Sequence, residues 1–217
     1  MSYEHLLRID NPFFTQHDVA YVLGIKLGSA AVLCNRYVKR GLLMRLKRGF
    51  YARTERLGHL GQIDLFRIAN MLQVPSYISL MTALSYYGIT TQVQRSFFES
   101  ISVKRTKTFE AGDLSFHYSK IRPDLYREFI KRDGVFIACP EKAVLDSFYL
   151  ASMGCYTLDG SFLDLTKVDE KILTDLSALY PPKARKYFEG VYAKINAQVT
   201  TKVATKTLRH KQLKIDN

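Results

Sequence analysis

No apolar run in the 217-residue chain approaches the ~18 residues needed to cross a bilayer. The first residues lack the layout of a signal peptide, so no membrane partner is expected and the expected compartment is the cytoplasm. The three cysteines, Cys34, Cys139 and Cys155, form no CxxC pair and read as buried free thiols, not as a disulfide or a metal site. Walker, GxGxxG and GxSxG motifs are all missing. His5, His17, His59, His117 and His210 are scattered without metal-ligand spacing. Asp169-Glu170-Lys171 has the Asp-x-Lys pattern of a metal-dependent nuclease, but it opens a predicted helix, where acids are favoured by the helix dipole alone. No catalytic residue, cofactor or metal is expected, and the chain is read as a non-enzyme. Internal repeats are absent too.

What the chain does have is positive charge, +12 in all, unevenly placed. Residues 1–56 hold 10 Lys/Arg against 4 Asp/Glu, a balance of +6; residues 57–182 balance at −1, and residues 183–217 at +7. Nucleic acid attracts basic ends of this kind through counterion release, and the nearly neutral middle has no such pull.

The first basic segment runs FFTQHDVAYVLGIKLGSAAVLCNRYVKRGLLMRLKRGFYAR from Phe13 to Arg53. Thr15 is placed to cap a helix, with Asp18 reaching back in a capping box. Gly24 closes that helix, since glycine takes the left-handed conformation without strain. Ser29 is expected to cap a second helix, in which Ala30, Leu33, Cys34, Tyr37 and Val38 form one apolar stripe. Its other face is Ala31, Val32, Asn35, Arg36, Lys39 and Arg40. Gly41 ends it. Leu42 to Leu46 and Phe50 to Arg53 then read as paired strands, with Lys47-Arg48-Gly49 as the loop. Two short helices, a tight turn and a basic hairpin make a winged helix-turn-helix pattern. A helix entering the major groove needs a short polar residue near its start, a side chain that pairs with base edges, and flanking cations for phosphates. The candidate DNA-binding residues are therefore Ser29, Asn35, Arg36, Lys39 and Arg40 on the helix, with Arg45, Lys47 and Arg48 on the hairpin.

Arg53 to Gly61 reads as a linker into a mixed domain. Helices are expected over Ile63 to Leu72 and Ser76 to Tyr87, the second capped by Ser76 and ended by Gly88. Strands are expected over Phe97 to Lys104, Lys107 to Phe109 and Leu114 to Ser119, with Ala111-Gly112-Asp113 as a turn, and over Val135 to Ala138. Pro140 opens a helix with Glu141 at its positive end. Further helices are expected over Asp169 to Leu179 and Pro182 to Ile195, and Gln198 to Asn217 forms a basic tail, helical or disordered until bound. The fold class is α+β, an N-terminal winged helix-turn-helix over residues 1–56 followed by a mixed α/β domain over 57–217 that carries the basic helical tail. Aromatics are dense in the middle region, and cores or a protein interface account for them.

LKRGFYAR at Leu46 to Arg53, PSYISLMTALSYYGI at Pro75 to Ile89, ISVKRTKTF at Ile101 to Phe109, FHYSKI at Phe116 to Ile121 and PEKAVLDSFYL at Pro140 to Leu150 resemble, in that order, the AbiEi family, antitoxins of type IV toxin-antitoxin systems. The resemblance implies a repressor whose winged helix binds double-stranded operator DNA of its own operon. It also implies that the C-terminal domain counters a nucleotidyltransferase-like toxin, AbiEii, without a stable complex. The family's motifs carry the DNA-facing role onto Arg36, Lys39, Lys47 and Arg48 and assign no catalytic residue. The alternatives from the residues alone are a nucleic-acid enzyme with a nuclease-like C-terminal domain and a regulator whose second domain senses a ligand or dimerises.

Overall fold

A computed structural model describes residues 3–195, so the expected basic tail from Gln198 lies outside the described residues. The class is α+β, with a three-stranded sheet of order β1-β3-β2 and a six-stranded sheet of order β6-β7-β5-β4-β9-β8. Contacts divide the chain into two compact units. Of the described residues, one comprises 3–78, 94–126 and 130–137; the other comprises 79–93, 127–129 and 138–195. Residues 3–78 thus group with most of the six-stranded sheet, and the 56/57 division stands as an expectation about independent folding. Among the described residues, no single helix is long and apolar enough to cross a membrane.

The first unit begins with a 3-10 turn, Tyr3–Arg8, followed by β1 (Phe14–Thr15), α1 (Gln16–Leu23) and α2 (Leu27–Lys39). The hairpin of β2 (Leu43–Lys47) and β3 (Phe50–Arg53) comes next. The capping box is present: Thr15 Oγ1 accepts from the His17 and Asp18 amides, and the Thr15 amide donates to Asp18 Oδ2 at 2.6 Å. Gly24 sits at φ 61° and ends α1. We expect Thr15→Ala to cost about 1 kcal/mol of stability in urea unfolding, and Thr15→Ser to recover most of it, because only the capping oxygen is at stake.

Ser29 does not cap α2. The chain re-enters helix after three residues, with Lys26 extended at the N-cap and no side-chain cap, so Ser29 lies inside the first turn. Lys47 likewise belongs to β2, not to the loop; the turn is Arg48-Gly49, with Gly49 at φ 77°. Phe14 pairs with Tyr51, adding β1 as a third strand. Leu6, Phe14, Val19, Ala30, Cys34, Tyr37, Leu43 and Tyr51 close into one buried cluster, so this segment has a core of its own.

The expected linker contains a short helix, α3 (Thr54–Leu57), before α4 (Gln62–Leu72). The expected helix Ser76–Tyr87 splits into β4 (Ser76–Ile78) and α5 (Leu80–Tyr86). Ser76 is not a cap: Ser76, Tyr77 and Ile78 are buried between β5 (Phe97–Ser102), antiparallel, and β9 (Val135–Ala138), parallel, and sheet pairing overrides the helical pattern. β6 (Lys107–Ala111) and β7 (Leu114–Lys120) form the expected hairpin around Gly112, and β7 also pairs with β5 in parallel. β8 (Phe129–Arg132) has no sequence signal of its own. Phe98 and Phe116 stack at 5.3 Å across the β5–β7 ladder, and Phe66 of α4 meets Phe98 edge-on at 6.2 Å. Asn70 on α4 accepts from the Phe136 amide at 2.6 Å and donates to its carbonyl, fixing the helix to the edge of β9.

The second unit is largely helical. It holds α5, α6 (Pro140–Ser152), α7 (Glu170–Ser177) and α8 (residues 182–195). Pro140 stands in the first turn of α6, as its missing N–H permits. Asp169 caps α7 by accepting from the Ile172 amide at 3.0 Å, the structural role expected for the Asp-x-Lys triplet. Leu80 opens α5 at φ 55°, a left-handed conformation that costs a leucine about 1–3 kcal/mol and is held by complete burial.

Candidate nucleic-acid interface

α1 and α2 are joined by three residues and their directions turn by 109°. One side of α2 is sealed into the N-terminal core through Ala30, Cys34 and Tyr37. Burial pushes the Cys34 thiol up to about 11, so it stays protonated and behaves as a small apolar side chain. Cys139 is half-buried and Cys155 exposed, so of the three free thiols only Cys34 is the fully buried one expected.

The other side of α2 faces outward and carries Ser29, Val32, Asn35, Arg36, Lys39 and Arg40, all exposed. Ser29, Val32 and Arg36 line one open groove of about 460 Å³ together with Ile25, Gly28 and Leu33. Val32 is 59% exposed, the greatest exposure of any apolar side chain on this helix. Its placement opposite the core stripe was readable from the helical period; its value as a contact was not.

Asn35 and Arg45 are held to each other. The Arg45 guanidinium donates to Asn35 Oδ1, joining α2 to β2, and lies 6.0 Å from the Tyr51 ring. Bidentate pairing with adenine needs both the oxygen and the NH₂ of an asparagine. With its oxygen engaged by Arg45, Asn35 clasps the helix to the hairpin while remaining exposed. Lys47 is held by the fold as well. Its ammonium donates to the Met71 and Leu72 carbonyls and lies 4.5 Å above the Phe50 ring. Burial lowers its pKa, with the Lys104 cation adding to the effect. Lys47 thereby lines a basic cleft of about 360 Å³ with Lys104, Arg105, Gln73 and Phe109, behind the hairpin tip. Arg48 is exposed at that tip. Arg36, Lys39, Arg40 and Arg48 are exposed; Arg45 is exposed as well with its guanidinium held by Asn35, and Lys47 is half-buried and held by backbone carbonyls.

A second constellation escaped sequence reading. In the second unit Lys142 and Asp146, one turn apart on α6, form an ion pair whose side chains are 2% and 0% exposed. Ser79 Oγ donates to Asp146 Oδ2 at 2.9 Å, Tyr180 donates to Asp146 Oδ1 at 3.1 Å, and Lys142 donates to Tyr180 at 2.7 Å. Burial and the Asp146 carboxylate hold the Tyr180 phenol far above its ordinary range. Lys142, Asp146, Ser79 and Tyr180 are all buried, and their chemistry is that of a closed polar lock.

No protein-family model matches the chain, and no curated protein sequence matches it either.

Proposed function

We propose that the chain is a DNA-binding transcriptional repressor whose residues 1–56 act as a winged helix-turn-helix, and that it serves as an AbiEi-type antitoxin. The observation that carries the DNA-binding part is the sharp α1–α2 turn followed by a hairpin, with outward cations on α2 and at the hairpin tip. An angle of about 90–120° across a short turn is the geometry by which helix-turn-helix proteins deliver their second helix to the major groove. In this reading α2 reads base edges through Ser29 and Arg36, Arg48 meets phosphate as the wing, and Lys39 and Arg40 hold the flanking backbone. The antitoxin part rests on the five sequence blocks that resemble the AbiEi family; it assigns the second job to the region beyond residue 56, with no enzymatic step.

The test is selection from a random double-stranded DNA library with the full chain, followed by affinity measurement over a range of salt. Enrichment of one sequence, with log K falling linearly against log salt by ~0.9 per phosphate contact, is the expected result. A chain that enriches nothing and binds duplexes without salt dependence is not a DNA reader. For the antitoxin role, co-expression with a nucleotidyltransferase-like toxin from the same operon should restore growth; continued arrest would leave only the repressor.

A further inference from the structure

Beyond DNA binding as such, the groove on α2 has a chemistry that selects among base pairs. Val32 lies three residues after Ser29 and four before Arg36, so the three share one stripe. Among the described residues nothing covers Val32, which is 59% exposed on a face that also carries the exposed polar and cationic side chains Ser29, Asn35, Arg36 and Lys39. An exposed β-branched residue is a poor choice for helix stability, where alanine or a long polar residue serves better. Gly28 beside it has the same character. A Cβ built there meets nothing within 4 Å, so packing does not require glycine, and its absence keeps the groove open to close approach.

The major-groove edge of DNA offers one apolar group, the C5-methyl of thymine, and guanine offers the paired O6/N7 acceptors that a guanidinium fits best. We infer that Val32 reads a thymine methyl while Arg36 reads guanine, so that the chain selects a T·A pair within about two base pairs of a G·C pair. Four helical residues rise about 6 Å, close to two base-pair steps, which sets the T and the G within about two base pairs of each other. The inference rests on the DNA-binding reading above and adds the sequence class to it.

Chemical deletion of the methyl tests it. The duplex enriched by the full chain is resynthesised with deoxyuridine replacing each thymine in turn, which removes the C5-methyl and leaves pairing unchanged. One position within about two base pairs of a G·C pair should lose roughly threefold to tenfold in affinity. Val32→Ala, which keeps a strong helix former in α2, should be insensitive to deoxyuridine at that same position. If no deoxyuridine weakens binding, or if Val32→Ala is as sensitive as the wild type, the chain reads DNA by other groups and the inference fails alone. A library from which nothing is enriched overturns the inference and the DNA-binding reading together.

Discussion

Asp146→Ala should destabilise the second unit by about 3–5 kcal/mol. The substitution removes the carboxylate that pairs with Lys142, whose side chain is 2% exposed, and leaves a buried ammonium without that counter-charge. It also takes an acceptor from Ser79 and from Tyr180, so three polar groups each lose an interaction at once, with only the Lys142–Tyr180 bond of the four left in place. Ser79 immediately precedes Leu80, the residue held at φ 55°, and the strained turn loses its anchor along with the charge pair. With a urea dependence of ~2 kcal/mol per molar, the midpoint should fall by roughly 2 M. The double variant Lys142→Met/Asp146→Leu should recover much of that loss, because no buried charge remains unpaired. Unfolding followed by circular dichroism decides the matter. A midpoint for Asp146→Ala equal to that of the wild type would mean that the pair is solvated and contributes nothing to stability.

Arg36→Ala should cost about 1–3 kcal/mol at the selected duplex, roughly 5-fold to 150-fold in affinity, and little at a random one. Arg36 is exposed, lines the α2 groove and faces the side of the helix away from the core. Arg48→Ala should behave in the opposite way, weakening both duplexes alike and reducing the salt slope by about 0.9, because a hairpin-tip cation meets phosphate, which is the same at every sequence. Fluorescence anisotropy on both duplexes at several salt concentrations separates the two. Equal losses for Arg36→Ala on specific and random DNA would make that guanidinium a phosphate contact.

Local signals were legible in the sequence and non-local ones were not. Thr15, Asp18 and Gly24 define α1 because a cap and a left-handed glycine act within a few residues. The strands β5 to β7 announced themselves by alternation around a glycine turn. Ser76 to Ile78 read as helix because a short apolar run carries no period of its own, and only its neighbours β5 and β9, distant in sequence, make it a strand. The two-residue β1 was invisible for the same reason, existing through its pairing with Tyr51 and Phe50. At the candidate interface the helical period separated the core face of α2 from the outward one. It could not show that Asn35 is engaged by Arg45 ten residues away, or that Lys47 turns back to the Met71 and Leu72 carbonyls. Lys142 and Asp146 stand at helical spacing like any surface pair, and charged side chains are so seldom fully buried that their interior position had no precursor in the pattern.

The clasp between Asn35 and Arg45 has a bearing on how this chain can be redirected to other targets. Positions 28, 32 and 36 are open to replacement without touching it, so specificity can be rewritten one side chain at a time while the hairpin keeps its place. Transplanting a foreign α2 wholesale is a different operation. Unless the incoming helix brings an acceptor at position 35 and matching core residues at positions 34 and 37, Arg45 is released and the hairpin that carries Arg48 loses part of its attachment to the helix. Helix and hairpin are therefore the unit of exchange, and a chimera should be cut before Leu27 and after Arg53.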